Sequence, residues 1–215
     1  MIVQKIHTFE NAAISPQREV LNDIHLKSKN IAIFQRNMAH LRQKLLQIAN
    51  QGIDCRANGT QEDILYTLKN YLDNRQIECL DVLSDIRQLV MLFQEVTQAS
   101  TFRFLFATIT TDMCSRFHTD INNLRLLCTY LGPGTLWLPN QAINYTAVKS
   151  RGSNEEMVTD QQLIQQLSLG DVCILKGALY PDANPVLHKS PPIEKNGEKR
   201  LLLRIDTNES SKLWS

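Results

Sequence analysis

The sequence TFRFLFATITTDMCSRFHTDINNLRLLCTYLGPGTLWLP spans residues 101–139, and its rhythm is that of β-strands. Its first ten residues are rich in aromatic and β-branched side chains, which favour strands. Residues 124–131 (LRLLCTYL) and 136–139 (LWLP) flank a Gly-Pro-Gly turn, so they predict a β-hairpin. Two more strands are predicted further along, at residues 171–177 (DVCILKG) and 199–206 (KRLLLRID). Several short strands without long helices between them indicate a barrel or a sandwich.

The chain before residue 100 has a different character and predicts helices. Apolar residues recur there at spacings of three and four, which predicts amphipathic helices over residues 38–50, 60–72 and 82–96. Thr60 and Asp63 have the spacing of a capping box at the start of the second helix. Residues 31–34 (IAIF) predict a strand whose partner the sequence does not reveal. We therefore predict a mainly helical part over residues 1–100 and a strand-rich part over 101–215, joined in one compact unit.

Composition and charge exclude several classes of protein. Of the 215 residues, 43% are hydrophobic and 21% are charged, as in ordinary soluble proteins. The net charge is +1 and no long Lys/Arg run is present, so no nucleic-acid partner is predicted. Neither a signal peptide nor a run of apolar residues long enough to span a membrane is visible, so no membrane association is predicted. The five cysteines show no CxxC spacing, which indicates reduced thiols and a cytoplasmic location.

His118 and Asp120 are the first candidate metal ligands, within the triplet His-Thr-Asp. Residues two apart on a strand lie on the same face, so an imidazole and a carboxylate placed in this way can reach one ion. His188 lies just before the last predicted strand and completes a set of two histidines and one carboxylate. Non-haem Fe(II) oxygenases use that set and keep coordination positions open. Taken alone, each element also fits a surface residue, and His188 fits a loop histidine beside a Pro-Pro turn.

Two arginines share one face of the last predicted strand, because Arg200 and Arg204 are four residues apart. Unpaired guanidinium groups are costly inside an apolar core. Either this face is solvated, or it borders a cavity that holds an anion. For the second case a carboxylate is the natural partner, since it pairs with a guanidinium through two parallel hydrogen bonds.

In order and spacing, these motifs resemble those of the Fe(II)/2-oxoglutarate-dependent oxygenases, in particular the prolyl-hydroxylase type. FHTD is similar to their HxD motif, TYLGPGTLWLP to the stretch that follows it, and LGDVCILKG to the strand before the distal histidine. HKSPPIEKNGEKRLLLRI is similar to the distal histidine and the strand that binds the co-substrate. The resemblance covers residues 101–206. It implies a hydroxylase with Fe(II) on His118, Asp120 and His188, and with 2-oxoglutarate as co-substrate.

The same resemblance implies an α+β fold, with the N-terminal helices packed on a C-terminal double-stranded β-helix (a jelly-roll, cupin-like barrel). Arg200 matches the residue that binds the far carboxylate of 2-oxoglutarate better than Arg204 does. Tyr130 falls where some relatives use a tyrosine for the same carboxylate, and it also fits a core aromatic residue whose hydroxyl has a hydrogen-bond partner. Two features depart from the pattern: the last strand lacks the usual aromatic residue, and two extra residues separate His188 from Arg200. The polar segment 140–160 is expected to be a surface loop that helps to set the substrate, which the sequence does not identify.

A second resemblance leads to an alternative function. CSRFHTDINNLRLLCTYLGPGTLW and LHKSPP are similar to an uncharacterised bacterial family encoded near zinc-handling GTPases of the cobalamin-synthesis-W type. It implies a metallochaperone GTPase as partner and a non-catalytic accessory protein that binds Zn(II). Cys114, four residues before His118, would be the additional zinc ligand, or else a small buried thiol. A metal-free interaction module is a third interpretation.

Overall fold

A large open β-sheet runs through the chain in the computed structural model, which describes residues 9–182 and 184–208. The described strands are β1 (Ala12–Ser15), β2 (Ile31–Phe34), β3 (Asp54–Gly59), β4 (Phe102–Ile109), β5 (Leu124–Leu131), β6 (Leu136–Trp137), β7 (Gln165–Gln166), β8 (Val172–Lys176), β9 (His188–Lys189) and β10 (Arg200–Thr207). Seven of them form one sheet in the order β1-β2-β8-β5-β10-β4-β3, and three form a second sheet in the order β7-β6-β9. The described strands do not close into a barrel. The fold is therefore mixed α/β with a large sheet, and the predicted helix-over-barrel arrangement is not confirmed.

The helices confirm most of the sequence-based predictions. The α-helices of the described residues are α1 (Arg42–Asn50), α2 (Gln61–Asn74), α3 (Leu80–Thr97), α4 (Tyr145–Lys149) and α5 (Asn154–Met157), and short 3-10 helices cover Arg18–His25, Ala39–Leu41, Asn140–Ala142, Gln161–Leu163 and Glu194–Asn196. The predicted capping box is present, since the Thr60 hydroxyl accepts from the Asp63 N–H and the Asp63 carboxylate accepts from the Thr60 N–H. No described helix combines the length and the apolar character that crossing a bilayer requires.

The large sheet separates two apolar layers because side chains alternate along each strand. On β10, Leu201, Leu203 and Ile205 face the helices and join the main core with residues of α1, α2 and α3. Leu202 points to the opposite face and packs in a second cluster with Trp137 of β6. The even-numbered residues of β10 share the orientation of Leu202. The polar ones among them therefore lie on the side of the second sheet.

The first hundred residues contribute strands as well as helices to this architecture. β2 is the predicted strand at residues 31–34, and it pairs in parallel with β1 and antiparallel with β8. β3 pairs antiparallel with β4 at the other edge of the sheet. The partners of β2 thus come from both ends of the chain, which is why local sequence could not name them.

The predicted hairpin of residues 124–131 and 136–139 is wrong. β5 pairs with β10 and β8 in the large sheet, whereas β6 pairs with β7 and β9 in the small one. The Gly-Pro-Gly turn therefore carries the chain from one sheet to the other. Gly132 makes this possible because its φ is +81° and a Cβ there would lie 2.1 Å from the carbonyl oxygen of Lys199. A side chain would not fit between the turn and the entry to β10.

Replacing Gly132 with Ala is expected to lower the free energy of unfolding by about 2–4 kcal/mol, since left-handed strain adds to overpacking. Gly197→Ala is the matched control, because its φ is +61° but no atom lies within 4 Å of the added Cβ. The control is expected to cost about 1 kcal/mol. Urea denaturation of both variants checks this difference. Equal losses would show that the close approach to Lys199 does not constrain the turn.

Residues 140–160 are not the irregular surface loop that the sequence predicted. They contain a 3-10 turn and the short helices α4 and α5, and they bury an apolar cluster of their own. Ala142, Met157 and Val158 of this segment pack with Phe117 and Leu187 in that cluster. The polar residues that suggested a loop lie mainly on its outer side, where they cap the short helices. This segment therefore supports the residues next to both candidate histidines.

Candidate metal centre

The two candidate histidines face each other across an isolated antiparallel bridge. The N–H of His118 donates to the carbonyl of His188, and the N–H of His188 donates to the carbonyl of His118, both at 3.0 Å. Directly opposite residues of an antiparallel pair project to the same side. The ring centroids accordingly lie 4.6 Å apart. His188 begins the short strand β9, whereas His118 lies outside the regular strands, so the HxD motif is not on a core strand as predicted.

Asp120 completes the group. Its Oδ1 lies 3.6 Å from Nε2 of His118, and its Oδ2 lies 3.3 Å from Nε2 of His188. One ligand atom from each of the three residues can be chosen so that all lie within 4.8 Å of one another. Asp120 and His188 are buried, and the side chain of His118 is 32% exposed. The group is thus enclosed on most sides and reachable from the side of His118.

Backbone carbonyl groups orient both imidazole rings. Nδ1 of His118 lies 2.9 Å from the carbonyl oxygen of Arg116, and Nδ1 of His188 lies 3.4 Å from that of Val186. A carbonyl oxygen only accepts hydrogen bonds, so Nδ1 carries the proton in each neutral ring. Each Nε2 lone pair is then directed toward Asp120. This is the tautomer that a metal-binding histidine needs, and outer hydrogen bonds of this kind commonly hold it.

The side chains of His118, Asp120 and His188 direct lone pairs toward one point between them, where a bound cation would be stabilised. Asp120 Oδ2 is buried and accepts no hydrogen bond from the described residues. Burial opposes ionisation of Asp120, but His118, His188 and the Arg125 guanidinium hold the pKa of the carboxyl well below its usual range. The neighbouring Asp120 carboxylate raises the pKa of His118 against the opposing effect of burial. An ionised carboxylate between two imidazoles fits a divalent metal ion.

Arg125 links the Asp120 carboxylate to that of Asp206. Its Nη1 donates to Asp120 Oδ1 at 2.5 Å, while its Nε and Nη2 donate to the two carboxylate oxygens of Asp206 at 2.5 and 3.1 Å. Asn122 donates to Asp206 as well, at 3.1 Å. The side chain of Arg125 is 15% exposed and that of Asp206 is 3% exposed. This network occupies Oδ1 of Asp120 and leaves Oδ2 for a ligand role.

Arg200 is 1% exposed, at the start of β10. Its Nη2 donates to the hydroxyls of Thr129 and Thr135, both at 3.1 Å, and its Nε has no partner among the described residues. Burial lowers the pKa of Arg200 to about 10, so the group stays charged at neutral pH. No carboxylate of the described residues forms an ion pair with it. The guanidinium is therefore a buried cation without a counter-charge.

Arg204 lies on the same face but in a different environment. Its Nε is 3.4 Å from Asp206 Oδ2, and its side chain is 32% exposed. Burial lowers its pKa, while the Asp206 carboxylate acts in the opposite direction. Arg204 thus has a carboxylate partner and contact with solvent, whereas Arg200 has neither.

The structure does not bring Tyr130 to this group. Its side chain is fully buried on the helix side of the sheet, in edge-to-face contact with Phe106, and its hydroxyl donates to Asp85. Side chains alternate along β5, so Thr129 points to Arg200 and Tyr130 points away from it. This placement fits the core aromatic residue with a hydrogen-bonded hydroxyl, and not a tyrosine that contacts the co-substrate.

Cys114 is not part of the ligand group either. The set of ligand atoms within mutual reach contains His118, Asp120 and His188 without Cys114. Cys114 is exposed, which also contradicts the alternative of a small buried thiol. Its carbonyl accepts the N–H of Ser190, so its contribution beside β9 is through the backbone.

The residues that support the site do not stand out in the sequence. Arg125 lies near the HxD motif and could line a pocket, but its sequence context does not distinguish it from a solvated residue, and Asp206, Thr129 and Thr135 carry no signal. One pattern was available: Arg125 and Asp206 are charged residues at inward positions of strands that are otherwise apolar. Such residues need a partner when they are buried.

Solved structures similar to this chain include a dioxygenase, a prolyl-4-hydroxylase and a protein solved with alpha-KG. The dioxygenase for auxin oxidation 1 from Arabidopsis thaliana, as its complex with 2-oxoglutarate, is 10% identical with a TM-score of 0.48 over 91% of each chain. A prolyl-4-hydroxylase from Pseudomonas putida is 12% identical with a TM-score of 0.44 over 88% of this chain and 96% of that one. Full-length Neurospora crassa T7H with alpha-KG is 11% identical with a TM-score of 0.42 over 89% of this chain and 78% of that one.

Comparison by sequence gives the family. No curated protein matches the chain significantly. Neither the family nor the similar structures support the expected metallochaperone GTPase partner. The family described as "Protein of unknown function (DUF1826)" matches residues 15–206. Because that match spans most of the chain, this protein belongs to the DUF1826 family.

Proposed function

We propose that this protein is an Fe(II)- and 2-oxoglutarate-dependent oxygenase. In the proposal, His118, Asp120 and His188 hold the iron, and Arg200 binds the far carboxylate of 2-oxoglutarate. The observation that carries it is the buried guanidinium of Arg200, which has no counter-charge. It lies on the same face of the large sheet as Arg125 and Asp206, the residues that hold Asp120. A degenerate metal site would not need such a charge.

The ligand set favours iron over zinc. Two imidazoles and one carboxylate on one side of the ion leave positions free for a co-substrate and O₂. Structural zinc sites usually have four protein ligands, often with thiolates. Among the described residues no cysteine joins the three ligands. A zinc-binding accessory protein stays the alternative, and analysis of the bound metal distinguishes the two.

The environment of Arg200 suits a carboxylate ligand. Leaving a buried guanidinium unpaired costs several kcal/mol, and a carboxylate that accepts two charge-assisted hydrogen bonds offsets this cost. Thr129 and Thr135 hold the guanidinium in place from one side. Arg204 is the weaker candidate because Asp206 already lies beside it.

The remaining residues orient the reactants and exclude water. Iron, O₂ and 2-oxoglutarate together supply the oxidising chemistry, which no side chain provides. The carbonyls of Arg116 and Val186 keep the histidine tautomers, and Arg125 keeps Oδ2 of Asp120 directed at the metal position. Leu202 and Trp137 belong to the apolar cluster between the two sheets. An open double-stranded β-helix core fits this assignment, since the His118–His188 bridge extends the pairing of the small sheet.

The experiment that tests the proposal measures 2-oxoglutarate binding and turnover. Anaerobically purified protein loaded with Fe(II) is expected to bind 2-oxoglutarate and, in air, to release succinate slowly without a substrate. Arg200→Met is expected to keep its iron but to bind 2-oxoglutarate about 100-fold more weakly, because the charge-assisted hydrogen bonds are lost. Without ligand this variant should unfold at the same or a higher urea concentration, since an unpaired buried charge has been removed.

Lys199→Met is the control, because Lys199 is the exposed neighbour of Arg200 in the sequence. It should bind 2-oxoglutarate as the wild type does. The proposal is wrong if iron-loaded wild-type protein neither binds 2-oxoglutarate nor releases succinate. If Arg200→Met binds 2-oxoglutarate as the wild type does, the proposed role of Arg200 is wrong, but the oxygenase proposal itself is not contradicted.

A further inference from the structure

A cavity lies on the helix side of the large sheet, opposite to the face of the candidate metal centre. Its volume is about 620 Å³, which is within the range of small-molecule sites. It is bordered by the end of α3, by His25, by the last residue of β8 and by residues 180–182. None of the proposed metal or 2-oxoglutarate ligands lines it. The oxygenase proposal therefore leaves this cavity without a role.

Lys176 is the unusual residue of the cavity. It is 3% exposed, yet no described carboxylate forms an ion pair with it. Its ammonium donates to the carbonyl of Leu26 at 2.9 Å and lies 4.6 Å from the centre of the Tyr180 ring. An ammonium has three N–H donors, so two have no described acceptor. Lysine is almost never buried to this degree unless it is paired.

Tyr180 and His25 hold the wall of the cavity in position. Nε2 of His25 is 2.8 Å from the carbonyl oxygen of Val96, so it must carry a proton. In the neutral ring, Nδ1 then accepts the hydroxyl proton of Tyr180, at 2.9 Å. This chain of hydrogen bonds fixes the Tyr180 ring over the ammonium of Lys176. The site is thus organised before any ligand arrives, which lowers the entropic cost of binding.

The charges at the cavity favour an anion. Its charged lining residues are Lys27, Lys176 and Asp182, two cations against one anion. Lys27 and Asp182 are exposed and screened by solvent, whereas Lys176 is buried and acts at lower dielectric. Burial lowers the pKa of Lys176, because desolvation disfavours its charged form. Leu124 and the ring of Tyr180 add apolar surface for the rest of a ligand.

We propose that this cavity binds a small molecule with a carboxylate or phosphate group, whose oxygens accept the free N–H donors of Lys176. The apolar wall receives the carbon part of that molecule. The site is separate from the metal centre, so its ligand need not be the substrate of the oxygenase.

The test titrates the whole chain with two probes, sodium benzoate and inorganic phosphate, by calorimetry. One or both probes are expected to bind, and Lys176→Met is expected to weaken that binding about tenfold or more, since charge-assisted hydrogen bonds are lost. Binding of benzoate alone would identify a carboxylate site with an apolar wall, and binding of phosphate alone a phosphate site. Lys29→Met is the matched control, because Lys29 also donates to backbone carbonyls but lies outside the cavity.

A second measurement uses the wild-type protein, so it does not depend on whether the Lys176→Met variant folds. In NMR spectra of the wild type, a bound probe should shift the side-chain signals of Lys176 and Tyr180 but leave those of Lys29 unchanged. His188→Ala should bind the probes as the wild type does, which separates this site from the metal centre. If neither probe binds, or if Lys176→Met and Lys29→Met bind them equally, the proposal is overturned.

Discussion

Replacing His118 or His188 with Ala is expected to abolish stable iron binding. Each substitution removes one of three protein ligands and leaves the Asp120 carboxylate facing an incomplete set. Loss of an outer hydrogen bond alone weakens metal binding about 10–100-fold, so loss of a ligand should weaken it by more than about 100-fold. Metal analysis after anaerobic loading and desalting checks this result, and 2-oxoglutarate turnover should be lost in parallel.

His40→Ala is the control for these variants. His40 is exposed and lies far from the ligand group in the sequence, so iron content should not change. If His118→Ala and His188→Ala keep the iron content of the wild type, the three residues do not form the metal site. Zinc in place of iron in protein from cells grown with both metals would favour the accessory-protein alternative.

Replacing Arg125 with Met is expected to lower the free energy of unfolding by about 3–5 kcal/mol, because it leaves the buried Asp206 carboxylate without its two-point partner. For a chain of this size the loss corresponds to a fall in Tm of about 6–20 °C. Asp120 loses a hydrogen bond as well, so iron affinity should fall about 10–100-fold. Urea denaturation of the metal-free protein measures the stability, and a competing chelator measures the affinity.

Arg103→Met is the matched control on the neighbouring strand β4. Arg103 is exposed and opposes Asp206 in the register of the two strands, but it makes no described ion pair. Its replacement should change the stability by less than about 0.5 kcal/mol. A small effect of Arg125→Met, similar to that of the control, would mean that solvent screens the network and that Asp120 does not depend on it.

The sequence alone determined the local elements of this protein. The capping box at Thr60, the apolar stripe of α3 and the apolar runs of β4, β5, β8 and β10 were predicted correctly, because each depends on neighbours within a few residues. It also identified His118, Asp120 and His188 as a group, through motif order and residue type. Alternation along a single strand further predicted that Arg200 and Arg204 share a face.

Only the tertiary structure decided how these elements combine. It placed β5 and β6 in different sheets, and it turned Tyr130 to the helices and Thr129 to Arg200. It also joined Arg125 to Asp206 and buried Lys176 without a charged partner. Each of these outcomes depends on pairing between residues far apart in the chain. A shift of one residue in such a pairing exchanges the two faces of a strand, and no local pattern records that choice.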